Sequence, residues 1–421
     1  MFDVDKIRQG FPALIKPNPA IYFDGPGGTQ VSFEAIRAMT EFMADGVANL
    51  GGFYQSSISA QQQMDRAREA MAVLINAKDS KEISFGQNMT TITWALSHAI
   101  ANTWLPKDNI IVSELDHEAN ISPWLIKAQE KGVNAEILPF DQDSYTLDLD
   151  RLEAILKKGR TKFIAITLAS NICGSITDIA RVCDLAKQYQ VKLFVDAVHF
   201  IAHHKVDVQV IDCDWLVCSG YKFSSPHIGI LYSKSQTMAS ITPYKIAPAP
   251  DILPYALETG TQNFEALAGL EAAIYHKAAL VDEQMATTDL KAALKLSMSA
   301  IEAHELTLKS HFLKKLEVYP YITVRGIASQ DKLSKRTPTF AITIDGVSNR
   351  DLAQVLAQHN ICVGFGHFYV PRFIEKLGLD RSDGVLRIGF AYYNTLAEID
   401  CLFNILAEAI KFKQVNAIAL R

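Results

Sequence analysis

The sequence contains no apolar run of the ~18 residues that a membrane-spanning helix needs, which argues against a membrane protein. Its first residues, MFDVDKIRQGF, carry two acidic side chains and lack the apolar stretch of a signal peptide. Together these two absences predict a cytoplasmic protein.

The chain also lacks an excess of positive charge. Its 41 Lys and Arg residues are outnumbered by 46 Asp and Glu residues, for a formal net charge of −5. A nucleic-acid-binding surface needs clustered basic side chains to neutralise phosphates. The charge balance therefore argues against a nucleic-acid partner.

Cysteine is scarce and scattered. No Cys-x-x-Cys pair occurs, and no spacing of Cys and His suits zinc, so we predict no metal site. Several cysteines lie inside apolar runs, as is typical of reduced, buried thiols in the cytoplasm. The six cysteines are Cys173, Cys183, Cys213, Cys218, Cys362 and Cys401.

Between residues 80 and 235 the sequence alternates regularly between short apolar runs and segments with helical periodicity. Segments with helical periodicity separate short apolar runs; the clearest helix is predicted over 176–190, with Asp178 near its N-terminus. The runs are ISF (83–85), NIIVSEL (109–115), KFIAITLAS (162–170), KLFVDAV (192–198), DWLVCSG (214–220) and GILYS (229–233). Such alternation predicts an α/β fold, with a largely parallel sheet covered by helices on both faces. The last two strands lie close together, which allows a mixed edge.

The remainder of the chain has a different pattern. Residues 262–320 are rich in Ala, Leu, Glu and Lys and predict long helices, whereas 321–421 mix strands and helices. This region is predicted to be a smaller α+β domain. We expect an N-terminal segment (1–20) that packs with the small domain, a large domain (21–285) and the small domain itself (286–421).

Polar residues follow the predicted strands at their carboxyl ends, where open α/β sheets bind ligands. Each alone is weak evidence, because a His or Asp in such a place is commonly a loop residue or a helix cap. Their convergence on one rim is more specific. The residues are Asp116, His117, Ser170, Asn171, Asp196, His199, Ser219, Tyr221 and Lys222, together with the loop GQNMTT (86–91).

This set of residues fits a phosphorylated carbonyl cofactor with a basic ring nitrogen, such as pyridoxal 5′-phosphate (PLP). The phosphate needs a helix N-terminus and hydroxyl donors, which GQNMTT and Ser219 supply. The carbonyl needs a lysine, Lys222, and a pyridine that withdraws electrons needs an Asp at its nitrogen, here Asp196. The planar ring needs a stacking partner, for which His117 is a candidate.

The sequence resembles the class V aminotransferase family of fold-type I PLP enzymes, and within that family it is most similar to the cysteine desulfurase and selenocysteine lyase group. The resemblance covers residues ~20 to 400 and is most specific in the Asp196–Lys222 core and around Arg387. The similar stretches are DGPGGTQ (24–30), ELDHEANISPW (114–124), SNICGSITDI (170–179), VDAVHF through YKF (195–223) and RIGFAYYNTLAEID (387–400).

The resemblance implies a large domain with a seven-stranded, mostly parallel sheet between helices, a homodimer with a shared active site, and a small amino acid as substrate. Lys222 would form the Schiff base with PLP and later move the α-proton, with Asp196 and His117 as the other catalytic residues. Arg387 would clamp the substrate carboxylate, with Gly28 and Tyr369 beside it. The implied cofactor-binding residues are Met89, Thr90, His117, Asn171, Asp196, His199, Ser219, Tyr221, Lys222 and, reaching a partner's phosphate, Thr261.

Three departures from the family pattern stand out. Tyr221 replaces the His usual before the Schiff-base lysine, and NLGGFYQSS (49–57) lacks the usual Arg-Gly-x-His. The family's Arg-x-Gly-x-His-Cys loop reads GFGHFYVP (364–371), with Gly364 at the Arg position and Tyr369 at the Cys position. That cysteine takes the sulfur as a persulfide in desulfurases, which Tyr369 cannot do; we predict it to be an apolar wall. Cys362 lies nearby but out of register.

The resulting prediction is a PLP enzyme that cleaves a C–S or C–Se bond of a small amino acid, by desulfurase, lyase or β-elimination chemistry. Class V aminotransfer and amino-acid epimerisation remain alternatives, because one cofactor supports all of them. A regulatory or binding protein on the PLP fold is the non-enzyme alternative, which the complete Lys–Asp–His set argues against. The need for a separate sulfur-acceptor protein stays open.

Overall fold

The computed structural model describes residues 2–419, which contain thirteen strands and fourteen α-helices. The strands are β1 (Ile21–Tyr22), β2 (Ile83–Gly86), β3 (Asn109–Ser113), β4 (Asn134–Leu138), β5 (Thr161–Thr167), β6 (Lys192–Asp196), β7 (Trp215–Ser219), β8 (Gly229–Ser233), β9 (Ile322–Val324), β10 (Thr339–Ile344), β11 (Ile361–Cys362), β12 (Gly364–Gly366) and β13 (Val385–Gly389).

The helices cover the sheets and join most of the strands. They are α1 (Val4–Arg8), α2 (Phe33–Ala44), α3 (Gln55–Ile75), α4 (Met89–Ala101), α5 (Ser122–Lys131), α6 (Leu149–Leu156), α7 (Ile179–Gln188), α8 (Val208–Ile211), α9 (Phe264–Ala278), α10 (Glu283–Thr288), α11 (Leu290–Leu316), α12 (Asn349–Gln358), α13 (Pro371–Lys376) and α14 (Leu396–Ala419). Among the described residues, no helix is both long and apolar enough to cross a bilayer.

A seven-stranded sheet with the order β2-β8-β7-β6-β5-β3-β4 forms the large domain. Strand β8 pairs antiparallel with both β7 and β2, and the neighbouring pairs from β7 to β4 are parallel. This confirms the predicted α/β class, the mostly parallel sheet and the mixed edge. The parallel run requires helical crossovers and places the carboxyl ends of β3, β5, β6 and β7 on one rim.

Both faces of this sheet are buried, so its strands are apolar without alternation. On one face Phe163, Phe194 and Trp215 pack beneath α4 and α5, where the Trp124 and Phe163 rings lie 4.4 Å apart. On the other face, alternate residues such as Ile164 and Val195 pack against α3, α6 and α7. Burial of each such side chain contributes about 1.5–3 kcal/mol, which makes the sheet a stiff support for its rim.

Strong local sequence patterns predicted the secondary structure correctly, whereas weak ones did not. Asp178 caps α7 by accepting a hydrogen bond from the backbone N of Arg181, as its position predicted. Strand β4 was not predicted, because NAEIL lies at the sheet edge and carries partly exposed polar residues in place of an apolar run. The helical region after 262 is interrupted by caps at Asp282 and Asp289, which divide it into α9, α10 and α11.

A four-stranded antiparallel sheet with the order β12-β13-β10-β9 forms the second domain, with α11, α12 and α14 packed on its core. Strand β1 pairs in parallel with β11, and Asp24 forms an isolated bridge with Gly389 of β13, so residues 21–24 run beside strands of this second domain. N-terminal residues also contact this part of the molecule: one apolar cluster contains Ile7, Phe11, Leu14, Met298, Ile301, Ala391, Tyr392 and Tyr393.

Candidate active site

A cavity of about 250 Å³ lies at the rim where β5, β6 and β7 end, and β13 of the small domain closes its far side. Predicted site residues that line it are Met89, Thr90, His117, Asn171, Asp196, His199, Tyr221, Lys222, Tyr369 and Arg387. Residues not chosen from the sequence also line it: Pro26, Gly27, Thr167, Ala169, Val198 and Phe368. The rim thus brings together residues as distant in the sequence as Pro26 and Arg387, which are 361 positions apart.

Lys222 follows β7 in a short 3₁₀ turn and is almost fully buried. Its Nζ donates a hydrogen bond to the backbone oxygen of Pro26 and lies 4.6 Å from the centre of the Tyr221 ring. Burial, aided by the charge of Arg387, lowers the pKa of Lys222 from 10.5 to about 7. A buried lysine that loses its proton near neutrality is a nucleophile and a proton acceptor.

Asp196 ends β6, next to β7 in the sheet. Its carboxylate accepts a hydrogen bond of 2.8 Å from the backbone N of Val198, which fixes its orientation. Burial raises the pKa of Asp196 to about 6, against the opposing effects of that hydrogen bond and of the Lys222 charge. The group is therefore mostly ionised at neutral pH and can pair with a buried ring N–H.

His117 follows β3 and is held as a neutral imidazole. Burial, followed by the charges of Lys222 and Arg387, lowers the pKa of His117 to about 4. Its Nδ1 accepts a hydrogen bond of 3.0 Å from the backbone N of Ala119, so the ring proton resides on Nε2. An uncharged imidazole in a fixed orientation suits stacking on an aromatic cofactor.

Asp116, beside His117, anchors this turn from below. Its carboxyl accepts hydrogen bonds from the Ser113 hydroxyl and, at 2.6 Å, from the Asn120 amide, whose oxygen in turn accepts from Trp124 Nε1 at 3.1 Å. Burial raises the pKa of Asp116 to about 8. Asp116 was predicted to follow a strand. In the structure its hydrogen bonds hold the turn that carries His117.

One end of the cavity suits a phosphate. Met89 and Thr90 line the cavity and begin α4, a 13-residue helix capped by Asn88, so the N-terminus of this helix lies at the cavity. Ser219, at the end of β7, has a buried Oγ without a hydrogen-bond partner among the described residues. A buried hydroxyl without a partner is costly, and a phosphate oxygen would satisfy it. Tyr221 stacks on His227 with ring centres 4.7 Å apart.

His199 and Asn171 occupy the side of the cavity near the small domain. His199 Nε2 lies 3.0 Å from the hydroxyls of both Thr337 and Thr339, and burial lowers the pKa of His199 well below its ordinary value. Asn171 donates from Nδ2 to the backbone oxygen of Phe368 at 3.0 Å. Both side chains therefore tie the large domain to the small one.

Arg387 projects from β13 into the cavity and is buried. Its Nη2 donates to Asp24 Oδ1 at 2.7 Å, and its Nη1 donates to the backbone oxygen of Asn171 at 3.1 Å. The Phe368 ring covers the guanidinium, with Cζ 3.8 Å from the ring centre. Nε is buried and has no hydrogen-bond partner among the described residues, so an arriving carboxylate would satisfy it.

Several contributors were missed in the sequence. Asp24 is the first residue of DGPGGTQ (24–30), but its pairing with Arg387 across 363 positions leaves no local signal. Another is the buried pair of His203 and Glu305, 3.0 Å apart, behind His199. His203, seven residues after Asp196, was the available clue, yet its partner Glu305 lies on α11 and no spacing rule connects the two.

Three predicted site residues do not line the cavity. Gly28 lies behind Tyr221, where a Cβ would be 3.3 Å from the ring, and Ser219 is buried at the strand end. Thr261 is exposed on the surface of its own chain. Cys362 is half-buried on β11 and is absent from the lining, which contains no cysteine among the described residues. Burial raises the pKa of the Cys362 thiol.

Comparison with known proteins identifies the family of this chain. The family model described as aminotransferase class-V matches residues 21–402. The cysteine desulfurase of Cronobacter sakazakii is 30% identical over 424 residues, covering 95% of this chain and 97% of the relative. A cysteine desulfurase of Escherichia coli K12 is 29% identical over 425 residues, covering 96% of this chain and 97% of the relative.

Solved structures show the same fold. The cysteine desulfurase CsdA of Escherichia coli, solved in an S-sulfonic acid form, has a TM-score of 0.82 at 26% identity and covers 98% of this chain and 99% of its own. The apo cysteine desulfurase of Thermococcus onnurineus NA1 has a TM-score of 0.86 at 24% identity and covers 97% and 98%. The chain therefore belongs to the class-V aminotransferase family of PLP enzymes, in its cysteine desulfurase-like group.

Proposed function

We propose that this chain binds PLP and cleaves the Cβ–S or Cβ–Se bond of a small α-amino acid by elimination, without a cysteine of its own as sulfur acceptor. The observation that carries this proposal is the composition of the cavity. Lys222, Asp196, His117 and Arg387 line it together, whereas Tyr369 occupies the loop position at which desulfurases carry their cysteine.

The residues present fit the cofactor. Lys222 would hold it covalently through Nζ, and Asp196 would pair with its ring nitrogen. The phosphate would take the first amides of α4 and the partnerless Ser219 hydroxyl. His117 would cover the ring on one face. When bound, PLP supplies an electron sink that stabilises negative charge at the substrate Cα.

The remaining work falls to the chain's own groups. Arg387 would bind the substrate carboxylate through Nε and so orient the Cα–H bond toward Lys222. Lys222, with a pKa of about 7, would accept the α-proton and return a proton later. Apolar residues of the lining, among them Ala169, Val198 and Phe368, would limit the access of water to these charged groups, which strengthens their interactions.

Elimination is favoured over desulfuration by the electron balance. Desulfuration that yields alanine transfers sulfur at the zero-valent level and needs a thiol to receive it. No cysteine lies among the described residues that line the cavity. Elimination instead releases the sulfur as a thiol or sulfide, and water converts the three-carbon remainder to pyruvate and ammonium, with no acceptor needed.

We also propose a cytoplasmic homodimer. All six cysteines are free thiols, as expected in a reducing compartment. The exposed Thr261 of one chain would then reach the phosphate end of the partner's cavity.

The lowered pKa of Lys222 predicts how cofactor capture depends on pH. Only the neutral amine attacks a carbonyl, and with a pKa of about 7 its share increases between pH 6 and pH 8. The rate at which the apo-protein captures PLP should increase about tenfold over that range and then level off. Rapid-mixing absorbance measures it; a rate that keeps increasing toward pH 10 would mean that Lys222 keeps an ordinary pKa.

Product analysis tests the proposed reaction. Purified holoenzyme is incubated with cysteine or selenocysteine, and pyruvate, alanine, sulfide or selenide, and D-amino acid are quantified. Equal amounts of pyruvate and sulfide or selenide are expected. Alanine formed only when a thiol is added would indicate desulfuration, a 2-oxo acid that retains its side chain would indicate aminotransfer, and D-amino acid would indicate epimerisation; any of these as the main product overturns the proposal.

A further inference from the structure

Two aromatic side chains, Phe368 and Tyr369, form one wall of the cavity, here named the aromatic wall. Phe368 covers the guanidinium of Arg387 at 3.8 Å, and the Tyr369 ring lies 5.1 Å from the ring of His117. The wall thus stands between the proposed carboxylate ligand and the proposed cover of the cofactor ring. A substrate held at both points presents its side chain to this wall.

The aromatic wall is fixed in place by hydrogen bonds at its backbone. The Phe368 oxygen accepts from Asn171 Nδ2 at 3.0 Å, and the Tyr369 oxygen accepts from the backbone N of Glu118 at 2.8 Å. Arg372 forms an ion pair with Glu118 and ties the following helix to the same place. Phe368 and Tyr369 both have left-handed φ values, 48° and 59°, which L-residues adopt at a cost that these contacts offset.

Gly364 makes room for this arrangement. A Cβ at Gly364 would lie 2.6 Å from the Phe368 ring, closer than such contacts allow. The absence of a side chain at this position therefore lets the Phe368 ring lie flat on Arg387. Among the described residues that line the cavity, Arg387 supplies the only guanidinium for a substrate carboxylate.

The charges around the aromatic wall restrict the substrate's side chain. Lys222 and Arg387 are the cations among the described residues that line the cavity, and Arg387 already pairs with Asp24. Lys222 would be joined to the cofactor, so a second substrate carboxylate would find no free cation here, and a cationic side chain would meet the positive charge of Arg387. His117 is neutral. The wall therefore suits an uncharged side chain, and aromatic rings contact divalent sulfur favourably.

The aromatic wall also opens outward. Tyr369 is 64% exposed, so the far end of a substrate side chain can pass along its ring toward solvent. A substituent larger than a thiol proton would bury apolar surface against both rings, which favours its binding.

We propose that the substrates of this enzyme are S-substituted cysteines, thioethers that carry an uncharged apolar group on sulfur; this rests on the elimination proposed above. The Cα–H and Cβ–S bonds break, the sulfur takes a proton and the intact thiol leaves past Tyr369. One water converts the remainder to pyruvate and ammonium, so the step needs no oxidant and no reductant.

The test compares S-benzylcysteine and S-methylcysteine with cysteine, and measures pyruvate together with the released thiol, or sulfide in the case of cysteine. For S-benzylcysteine, kcat/KM should exceed that for cysteine by at least about tenfold, because apolar contacts of this size discriminate to that extent. Thiol and pyruvate should form in equal amounts. Pyruvate from cysteine at a kcat/KM equal to or above that of both thioethers overturns this inference and leaves elimination standing, whereas no pyruvate from any compound sinks both.

Variants connect the preference to the aromatic wall. Phe368→Ala and Tyr369→Ala should each lower the ratio of kcat/KM for S-benzylcysteine to that for cysteine by at least about fivefold. Phe365→Ala, on the neighbouring strand and outside the cavity lining, is the matched control and should leave the ratio unchanged. Tyr369→Leu keeps an apolar side chain at the wall, so comparing it with Tyr369→Ala separates a loss of apolar contact from a loss of fold.

A binding measurement supplies a readout without turnover. In Lys222→Ala protein, S-benzylcysteine should bind at least about tenfold more tightly than cysteine by calorimetry, and Tyr369→Ala should remove most of that difference. If the wall variants leave both ratios unchanged, the aromatic wall does not select the substrate and the proposal is wrong.

Discussion

Replacing Lys222 by alanine should lower the rate of pyruvate formation by at least about 10³-fold, because a positioned proton-transfer group contributes ~10²–10⁴-fold and Lys222 also holds the cofactor. The same variant should fail to develop the visible absorption band that PLP acquires when joined to a lysine. Steady-state kinetics and an absorbance titration with PLP measure the two effects.

The matched control is Lys234→Ala, at the end of β8, where the amine pairs with Asp212 on the surface at 2.5 Å. It should keep both the band and the activity. The removal of Lys222 also takes a buried amine out of the protein, so thermal stability should be kept or increased. An intact band in the Lys222 variant would show that another lysine holds the cofactor, and the assignment of the site would fall.

The positions of Lys222 and Asp196 could be predicted from the sequence because the ends of the strands determine where the site lies. Parallel strands end on one rim, so a polar residue directly after a buried apolar run is placed there by the sheet itself. Asp196 and Lys222 lie within three positions of the last residues of β6 and β7. The apolar runs in the sequence and the parallel arrangement of the strands therefore both place Asp196 and Lys222 at this rim.

The surroundings of Arg387 could not be predicted in that way. Asp24, Asn171 and Phe368 meet the guanidinium from three distant segments, and each contact depends on how the two domains pack. The backbone at Phe368 has a left-handed φ that a bulky residue seldom adopts, so no local rule would have placed its ring on Arg387. The prediction of Tyr369 as an apolar wall named one ring of the pair and missed the other.

The Glu305–His203 pair shows a related limit. Both side chains are buried, and their partnership joins the loop after β6 to α11 across 102 positions. In the sequence, Glu305 is one of several charged residues in a predicted helical region rich in Ala, Leu, Glu and Lys. Only the three-dimensional packing distinguishes it from its exposed neighbours.

Replacing Arg387 by alanine should lower kcat/KM by about 10²–10³-fold, mainly through KM. Truncation of one partner of a buried, hydrogen-bonded charge pair costs about 2–5 kcal/mol. Here the guanidinium is buried, Asp24 and the Asn171 backbone hold two of its nitrogens, and Nε remains for the substrate. Steady-state kinetics with a saturable amino-acid substrate separates KM from kcat. Arg387→Lys should recover little, because an ammonium cannot keep the planar contacts with Asp24 and Phe368.

If Arg387 served only to stabilise the fold, its replacement would lower the melting temperature without changing KM. The variant Asp24→Asn distinguishes that role from carboxylate binding. This variant keeps an acceptor for Nη2 and removes the negative charge, so the orientation of Arg387 persists while its positive field on a substrate carboxylate increases. KM should therefore stay within about threefold of the parent or fall, whereas Arg387→Ala raises it strongly. Arg381→Ala, an exposed arginine near Glu375, controls for loss of surface charge. Equal losses of melting temperature in the Arg387 and Asp24 variants with unchanged KM would assign the pair to folding alone, and the substrate carboxylate would then need another ligand.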